Sequence, residues 1–176
     1  MRGLIIGRFQ PFHLGHLDLV RQALAECDEV IIGVTSSQFN YIQKDPFTAG
    51  ERIEMIRSAL LESDIDIAQC IILGIENQPN NALWASYLGT MLPKFELVYS
   101  GNEYATMLLA DAGYSTAAPK LLDRAIYSST RIRRMIANDR SWEQLVPSAV
   151  CRMILEIDGS SRIKILEQTD TKPMEY

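Results

Sequence analysis

The sequence predicts an α/β chain: a doubly wound parallel sheet of about five strands, with helices on both faces, in a single domain. Three observations carry this expectation. Short apolar, β-rich runs alternate with segments of helical periodicity, and that alternation builds parallel βαβ units. No internal repeat or low-complexity linker interrupts it. The length, 176 residues, matches one domain and lets a chain bury about 70 % of its unfolded surface, so no staples are needed.

Each element has its own signal. Gly3 to Gly7 reads as a buried strand around Leu4-Ile5-Ile6, and Leu14 to Glu26 as a helix with an apolar stripe at Leu17, Val20, Leu24 and Ala25. Glu29 to Val34 is a second strand. Thr48 to Leu61 is a second helix, opened by the Thr48/Glu51 capping box. Gln69 to Leu73 is a third strand, followed by a helix over Ala82 to Met91 with Leu83, Tyr87, Leu88 and Met91 on one side. Glu96 to Tyr99 is a strand, Glu103 to Ala112 a helix stopped by Gly113, and Tyr114 to Ala117 a weak strand. Ser129 to Ala137 and Pro147 to Ile157 are the last helices expected. The domain is taken as residues 1–163, and residues 164–176 as a polar C-terminal tail that frays from about Lys164. Trp142 and Tyr127 read as core.

Composition narrows the function. Apolar residues make up 47 % and charged residues 22 %, which is ordinary for a globular chain and wrong for a disordered one. The net charge of −5 argues against coating nucleic acid or an anionic membrane, so any phosphate chemistry requires a local basic cluster. Cys27, Cys70 and Cys151 are scattered and odd in number, which suits a reduced compartment and offers no disulfide framework. The Leu4-Ile5-Ile6 run is too short for a signal-peptide core, and no stretch approaches the roughly 20 apolar residues of a membrane span. A soluble, cytoplasmic protein is expected.

Doubly wound sheets bind ligands beyond the carboxyl ends of their strands. The first such loop, Gly7-Arg-Phe-Gln-Pro-Phe-His-Leu-Gly-His16, holds both histidines of the chain. It is neither the Gly-x-Gly-x-x-Gly dinucleotide fingerprint nor a Walker loop. Gly7 lets a ligand approach the backbone, and Gly15 allows close approach at a helix start, where free N–H groups attract anions. His13 and His16, three residues apart, face one side and can donate hydrogen bonds to phosphate oxygens. A zinc pair would need a third ligand, and none lies nearby in sequence, so no metal site is assigned.

A second cluster lies at Ser128-Ser-Thr-Arg-Ile-Arg-Arg134. Ser128 is a good helix cap, and Arg131, Arg133 and Arg134 stand in the first two turns against the helix dipole. That placement makes sense if an anion binds there; a solvated basic face is the alternative. Arg52, also in a first turn, is either a phosphate contact or an exposed salt-bridge partner. Asn81 and Trp84 open a helix after the third strand, where Trp84 is either core or a stacking platform for a flat heterocycle. Ser36, in Thr35-Ser-Ser-Gln38, is a candidate phosphate contact.

Together these stretches resemble the archaeal-type nicotinamide mononucleotide adenylyltransferases of the nucleotidylyltransferase superfamily. The superfamily signature is His-x-x-Gly-His or His-x-Gly-His, and the longer Gly-Arg-Phe-Gln-Pro-Phe-His form narrows the resemblance. It extends to Asp45-Pro-Phe-Thr-Ala-Gly-Glu-Arg52, Asn81-Ala-Leu-Trp84, Val98-Tyr-Ser-Gly-Asn102 and Tyr127-Ser-Ser-Thr-Arg-Ile-Arg133, and runs from Met1 to about Ile163 in matching order. The stretch from Phe39 to Ile42 departs from the family pattern.

The resemblance implies a Rossmann-like fold and transfer of AMP from ATP to nicotinamide mononucleotide, giving NAD and pyrophosphate. It implies catalytic roles for His13, His16, Arg8 and Arg133, with His16 nearest the α-phosphate. It implies ATP or phosphate contacts from Gly7, Arg8, Phe9, His13, Gly15, His16, Arg52, Ser128, Thr130 and Arg133. Ser36, Asn81 and Trp84 would bind the mononucleotide, with Trp84 stacked on the nicotinamide ring and Asn81 reading its amide. Mg2+ would ride on the triphosphate, and the chain would be a homo-oligomer, a hexamer in related archaeal-type enzymes. Two other readings stand beside it. One is transfer to another phosphate acceptor, such as nicotinate mononucleotide, phosphopantetheine or a phospho-alcohol. The other is a non-catalytic nucleotide-binding module, whose expected mark, a broken histidine motif, this sequence lacks.

Overall fold

The computed structural model describes residues 1–120, 122–123 and 125–169. Among these, five strands form one parallel sheet: β1 (Arg2–Gly7), β2 (Glu29–Val34), β3 (Cys70–Gly74), β4 (Leu97–Tyr99) and β5 (Ser115–Ala117), in the order β3-β2-β1-β4-β5. Helix α1 (Leu14–Glu26) connects β1 to β2, and α2 (Ala49–Glu62) lies on the path to β3. The chain then crosses back over β1 through α3 (Trp84–Met91) to place β4 on the other side. Winding therefore reverses at β1, and the crevice between the carboxyl ends of β1 and β4 is the topological switch point where such sheets hold ligands.

Alternation along the strands divides the core into two layers. Ile5, Val30, Ile32 and Val34 face one side, packed with Leu17, Val20, Ile56, Leu60, Ile132 and Ile154. Leu4, Ile31 and Val98 face the other, packed with Leu88, Leu92, Phe95 and Leu109. The first layer takes α1, α2, α5 (Ser129–Ala137) and α6 (Ser148–Glu156); the second takes α3 and α4 (Glu103–Asp111). Trp142 is buried, as expected; Tyr127 is only half-buried.

Two departures from the sequence reading concern helices. The helix expected from Ala82 opens as a 3-10 turn over Asn81–Leu83, capped by the Asn80 side chain, and becomes α-helical at Trp84. Beyond α6 a further helix appears, α7 (Gly159–Gln168), restarted after Asp158 at a φ of 50°. The expected tail boundary at Ile163 falls inside this helix. Ile163 is buried, and Arg162 forms a two-pronged ion pair with Glu51 at 2.7 and 2.9 Å. The remainder of the expected tail, residues 170–176, lies outside the described residues.

Candidate active site

The β1–α1 loop is shaped by its own side chains. Phe9, at a φ of 51°, folds its ring back under Gly7, where a Cβ would come within 2.9 Å of it. Gln10 clamps the loop to the start of α2: its amide donates to the carbonyl of Phe47 at 2.9 Å and accepts from the Phe47 N–H at 3.0 Å. The Gln10–Pro11 peptide is cis. Gly15 leaves room for the His13 ring and for Tyr127, each 3.2 Å from where a Cβ would stand.

His13 caps α1. Its Nδ1 accepts from the His16 N–H at 3.3 Å, while the His16 Nδ1 accepts from the His13 N–H at 3.2 Å. This is a capping box made of two imidazoles. It has a chemical consequence: with both Nδ1 atoms accepting, each neutral ring carries its proton on Nε2. The rings stack at 3.5 Å, and the His16 ring stands edge-on against Phe9 at 4.8 Å. Burial pushes the His13 imidazole down to about 4. Burial, with His13 alongside, holds His16 well below the ordinary histidine range. At neutral pH the pair therefore presents uncharged donors.

These rings line a cavity of about 260 Å³ with Gly7, Arg8, Ser128, Thr130 and Arg133. Ser128 caps α5, accepting from the Arg131 N–H at 3.3 Å, and Ser129 ties the helix start to the loop by donating to the Pro11 carbonyl at 3.0 Å. Arg133 is 6 % exposed and donates to the Gln10 carbonyl at 2.8 Å. Burial and the nearby Arg8 charge lower its pKa to about 10, so it remains a cation at neutral pH. A second cavity of about 420 Å³ is lined by Ser36, Asn77, Asn81, Trp84, Asn102 and Tyr104, among others. The two cavities share Ile6, Gly7, Arg8, Ser100 and Asn102, the residues at the ends of β1 and β4.

Most of the residues expected from sequence meet here, with one correction. Arg52 does not reach either cavity. It is fully buried and donates to the carbonyls of Arg8, Thr35, Ser36 and Thr48 at 2.8–3.2 Å, binding the loops after β1 and β2 to the start of α2. It is neither a free phosphate contact nor an exposed salt-bridge partner. Phe9 lines the first cavity, with its ring packed under Gly7 and edge-on to His16. Trp84 is half-buried against the second core layer and also lines the second cavity.

The sequence comparisons agree with this geometry. Residues 4–135 match the cytidylyltransferase-like family. The nicotinamide-nucleotide adenylyltransferase of Caldivirga maquilingensis is 45 % identical over 98 % of this chain and 98 % of its own length. That of Saccharolobus solfataricus is 43 % identical over 96 % of this chain and 98 % of its own.

The chain belongs to the nicotinamide-nucleotide adenylyltransferase family.

The fold agrees with solved structures. A bifunctional NMN adenylyltransferase/ADP ribose pyrophosphatase from Francisella tularensis, complexed with AMP and manganese, superposes with a TM-score of 0.80 at 21 % identity. The match covers 95 % of this chain and 52 % of that longer protein, so the chain spans about half its length.

For a member of this family, several cavity residues went unassigned in the sequence. Asn77 and Gln78 follow β3, and Ser100, Asn102 and Tyr104 follow β4. The rule that ligands sit beyond strand ends was a sufficient signal for all five. Tyr127, taken as core, packs against the first core layer and also lines the first cavity.

The donor set also bears on metal use. Among the described residues no group of three or more His, Cys, Asp or Glu side chains could hold a metal ion. The first cavity offers imidazole, guanidinium and hydroxyl groups, all of which can donate to phosphate oxygens.

Proposed function

We propose that this chain transfers AMP from ATP to nicotinamide mononucleotide, releasing pyrophosphate and forming NAD. The mononucleotide phosphate attacks the α-phosphorus of ATP in line. One observation carries the assignment of sites: two cavities of different chemistry are adjacent and share the lining residues Gly7, Arg8, Ser100 and Asn102. The first, with His13, His16, Thr130 and Arg133, suits a triphosphate; the second, with Trp84, Asn81 and Ser36, suits a flat heterocycle bearing an amide.

The attacking phosphate is already an anion, so no general base or covalent nucleophile is needed. Catalysis is positioning plus stabilisation of the charge that develops on the leaving pyrophosphate. The Nε2–H groups of His13 and His16 donate to phosphate oxygens, His16 nearest the α-phosphate. Arg8 and Arg133 neutralise the triphosphate, and Ser128 and Thr130 supply hydroxyls at the α5 N-terminus, where the helix dipole favours anions. Mg2+ bound to the triphosphate oxygens would spread the phosphate charge that Arg8 and Arg133 face. Arg52 acts through the backbone it holds. The family resemblance also supports a homo-oligomer, a hexamer, in the cytoplasm; among the described residues no helix is long and apolar enough to cross a membrane.

The test is pyrophosphate release from purified protein with Mg-ATP and either nicotinamide mononucleotide, nicotinate mononucleotide or no acceptor. Release with the nicotinamide form, accompanied by NAD, is expected. Release with neither acceptor would overturn the assignment.

A further inference from the structure

Asp45 lies just before the Phe47–Thr48 entry to α2 and is 4 % exposed. Its Oδ1 is buried without a hydrogen-bond partner among the described residues. The nearest cation is the Nη1 of Arg8, at 3.8 Å, beyond the roughly 2.7–2.9 Å of a charge-assisted hydrogen bond. Burial pushes the carboxyl up from its ordinary value, while Arg8, Arg52, Arg133 and Lys44 pull it down. A buried carboxylate is costly unless cations surround it, and here they do.

The arrangement is unequal in a useful way. Arg52 and Arg133 are buried, held on backbone carbonyls, and form no salt bridge among the described residues. Arg8 alone of the three is substantially exposed, and it borders both cavities of the site as well as a third, of about 270 Å³, on the Asp45 side. Arg8 therefore has two anionic partners within reach: Asp45 behind it, and whatever phosphate enters in front.

We propose that Asp45 is a positioning residue: its buried carboxylate holds Arg8 at the junction of the cavities and offsets part of the arginine charge there, so that pyrophosphate can leave. This rests on the first cavity's being the phosphate site. Without a counter-charge, Arg8 and Arg133 would hold a released pyrophosphate as firmly as they hold the triphosphate. Binding leaving group and substrate alike slows turnover when product release is limiting. With Asp45 present, Arg8 has a partner to return to once the phosphate is gone.

The experiment measures product inhibition by inorganic pyrophosphate in wild-type protein, Asp45→Asn and Arg133→Ala, with separate KM values for ATP and the mononucleotide. Asp45→Asn keeps the shape and removes the charge. It should tighten pyrophosphate inhibition about tenfold, the scale of one charge removed several ångströms away in a protein-like dielectric. It should lower kcat and leave the mononucleotide KM within about twofold, a split that mere structural damage would not produce. Asp45→Ser, which removes the same charge by truncation, should move inhibition in the same direction and guards against a folding defect in the first variant. Arg133→Ala should weaken inhibition. If it does, while both Asp45 variants leave inhibition unchanged or weaker, the role of Asp45 is overturned and the phosphate site stands. If Arg133→Ala changes nothing, the phosphate site and the proposal fall together.

Discussion

The two histidines combine a structural task with the chemical one proposed for them. Reciprocal capping by Nδ1 starts helix α1 and, by the same bonds, directs both Nε2–H groups outward. The histidine motif was legible in sequence; that it forms the helix cap was not, because caps are ordinarily Ser, Thr, Asp or Asn. His16→Ala should lower kcat by about 100- to 1,000-fold, the usual cost of losing one donor to transition-state charge, with a smaller change in mononucleotide KM. Steady-state kinetics of the folded variant checks this, and near-normal turnover would remove His16 from the chemistry. The pH dependence follows from burial. His13, lowered to about 4 from an ordinary 6.5, is neutral throughout the neutral range, so titration of these rings should not bend kcat/KM between pH 6 and 8. Stability has a definite sign. Below 6.5 the unfolded chain binds protons that the folded imidazoles resist, so the stabilisation present above 6.5 is lost as pH falls from 6.5 toward 4. Melting temperatures over that interval should fall more steeply for the wild type than for a His13→Gln, His16→Gln variant. Arg52 illustrates the opposite case of legibility. A first-turn arginine looks like a surface or ligand group until the fold surrounds it with four carbonyl acceptors drawn from distant loops.

At the scale of elements, local signals located most strands and helices because each carries its own period, cap or stop. The capping box of Thr48 and Glu51 opens α2 as expected, and Ser128 opens α5. Helix α7 escaped because it opens after Asp158 without a side-chain cap, and its stability comes from outside itself. Arg162 reaches from α7 to both oxygens of Glu51 and to the Pro46 carbonyl, and lies over the Tyr41 ring at 4.7 Å. The helix thus braces the segment that carries Asp45 and Arg52, and it packs as well on α5, which carries Arg133. Arg162→Ala should therefore cost about 2–3 kcal/mol, since it leaves the partly buried Glu51 carboxylate without its partner. Arg152→Ala, which breaks a more exposed pair with Glu62, should cost under about 1 kcal/mol. Chemical denaturation of the two variants provides the comparison, and equal losses would deny α7 its bracing role.

At the scale of the whole molecule, function follows from where the winding reverses. Because β4 returns to the far side of β1, the loops after these two strands face each other, and the cavities meet between them. Alternation of strands and helices was enough to anticipate that crevice. The partition of the crevice was harder to foresee, because it depends on side chains brought together from five separate segments. One wall of the second cavity is Trp84, which is half-buried against the second core layer, so it combines packing with presentation. Its distance along the chain from the histidines permits a separation of effects. Trp84→Ala should raise the KM for nicotinamide mononucleotide by roughly ten- to a hundredfold, the loss of about 1–3 kcal/mol of stacking, and leave the KM for ATP within about threefold. The same truncation should lower stability by about 3 kcal/mol or less, since only part of the ring is buried. Equal increases in the two KM values would mean that the cavities act as one, and an unchanged mononucleotide KM in a destabilised variant would return Trp84 to the core alone.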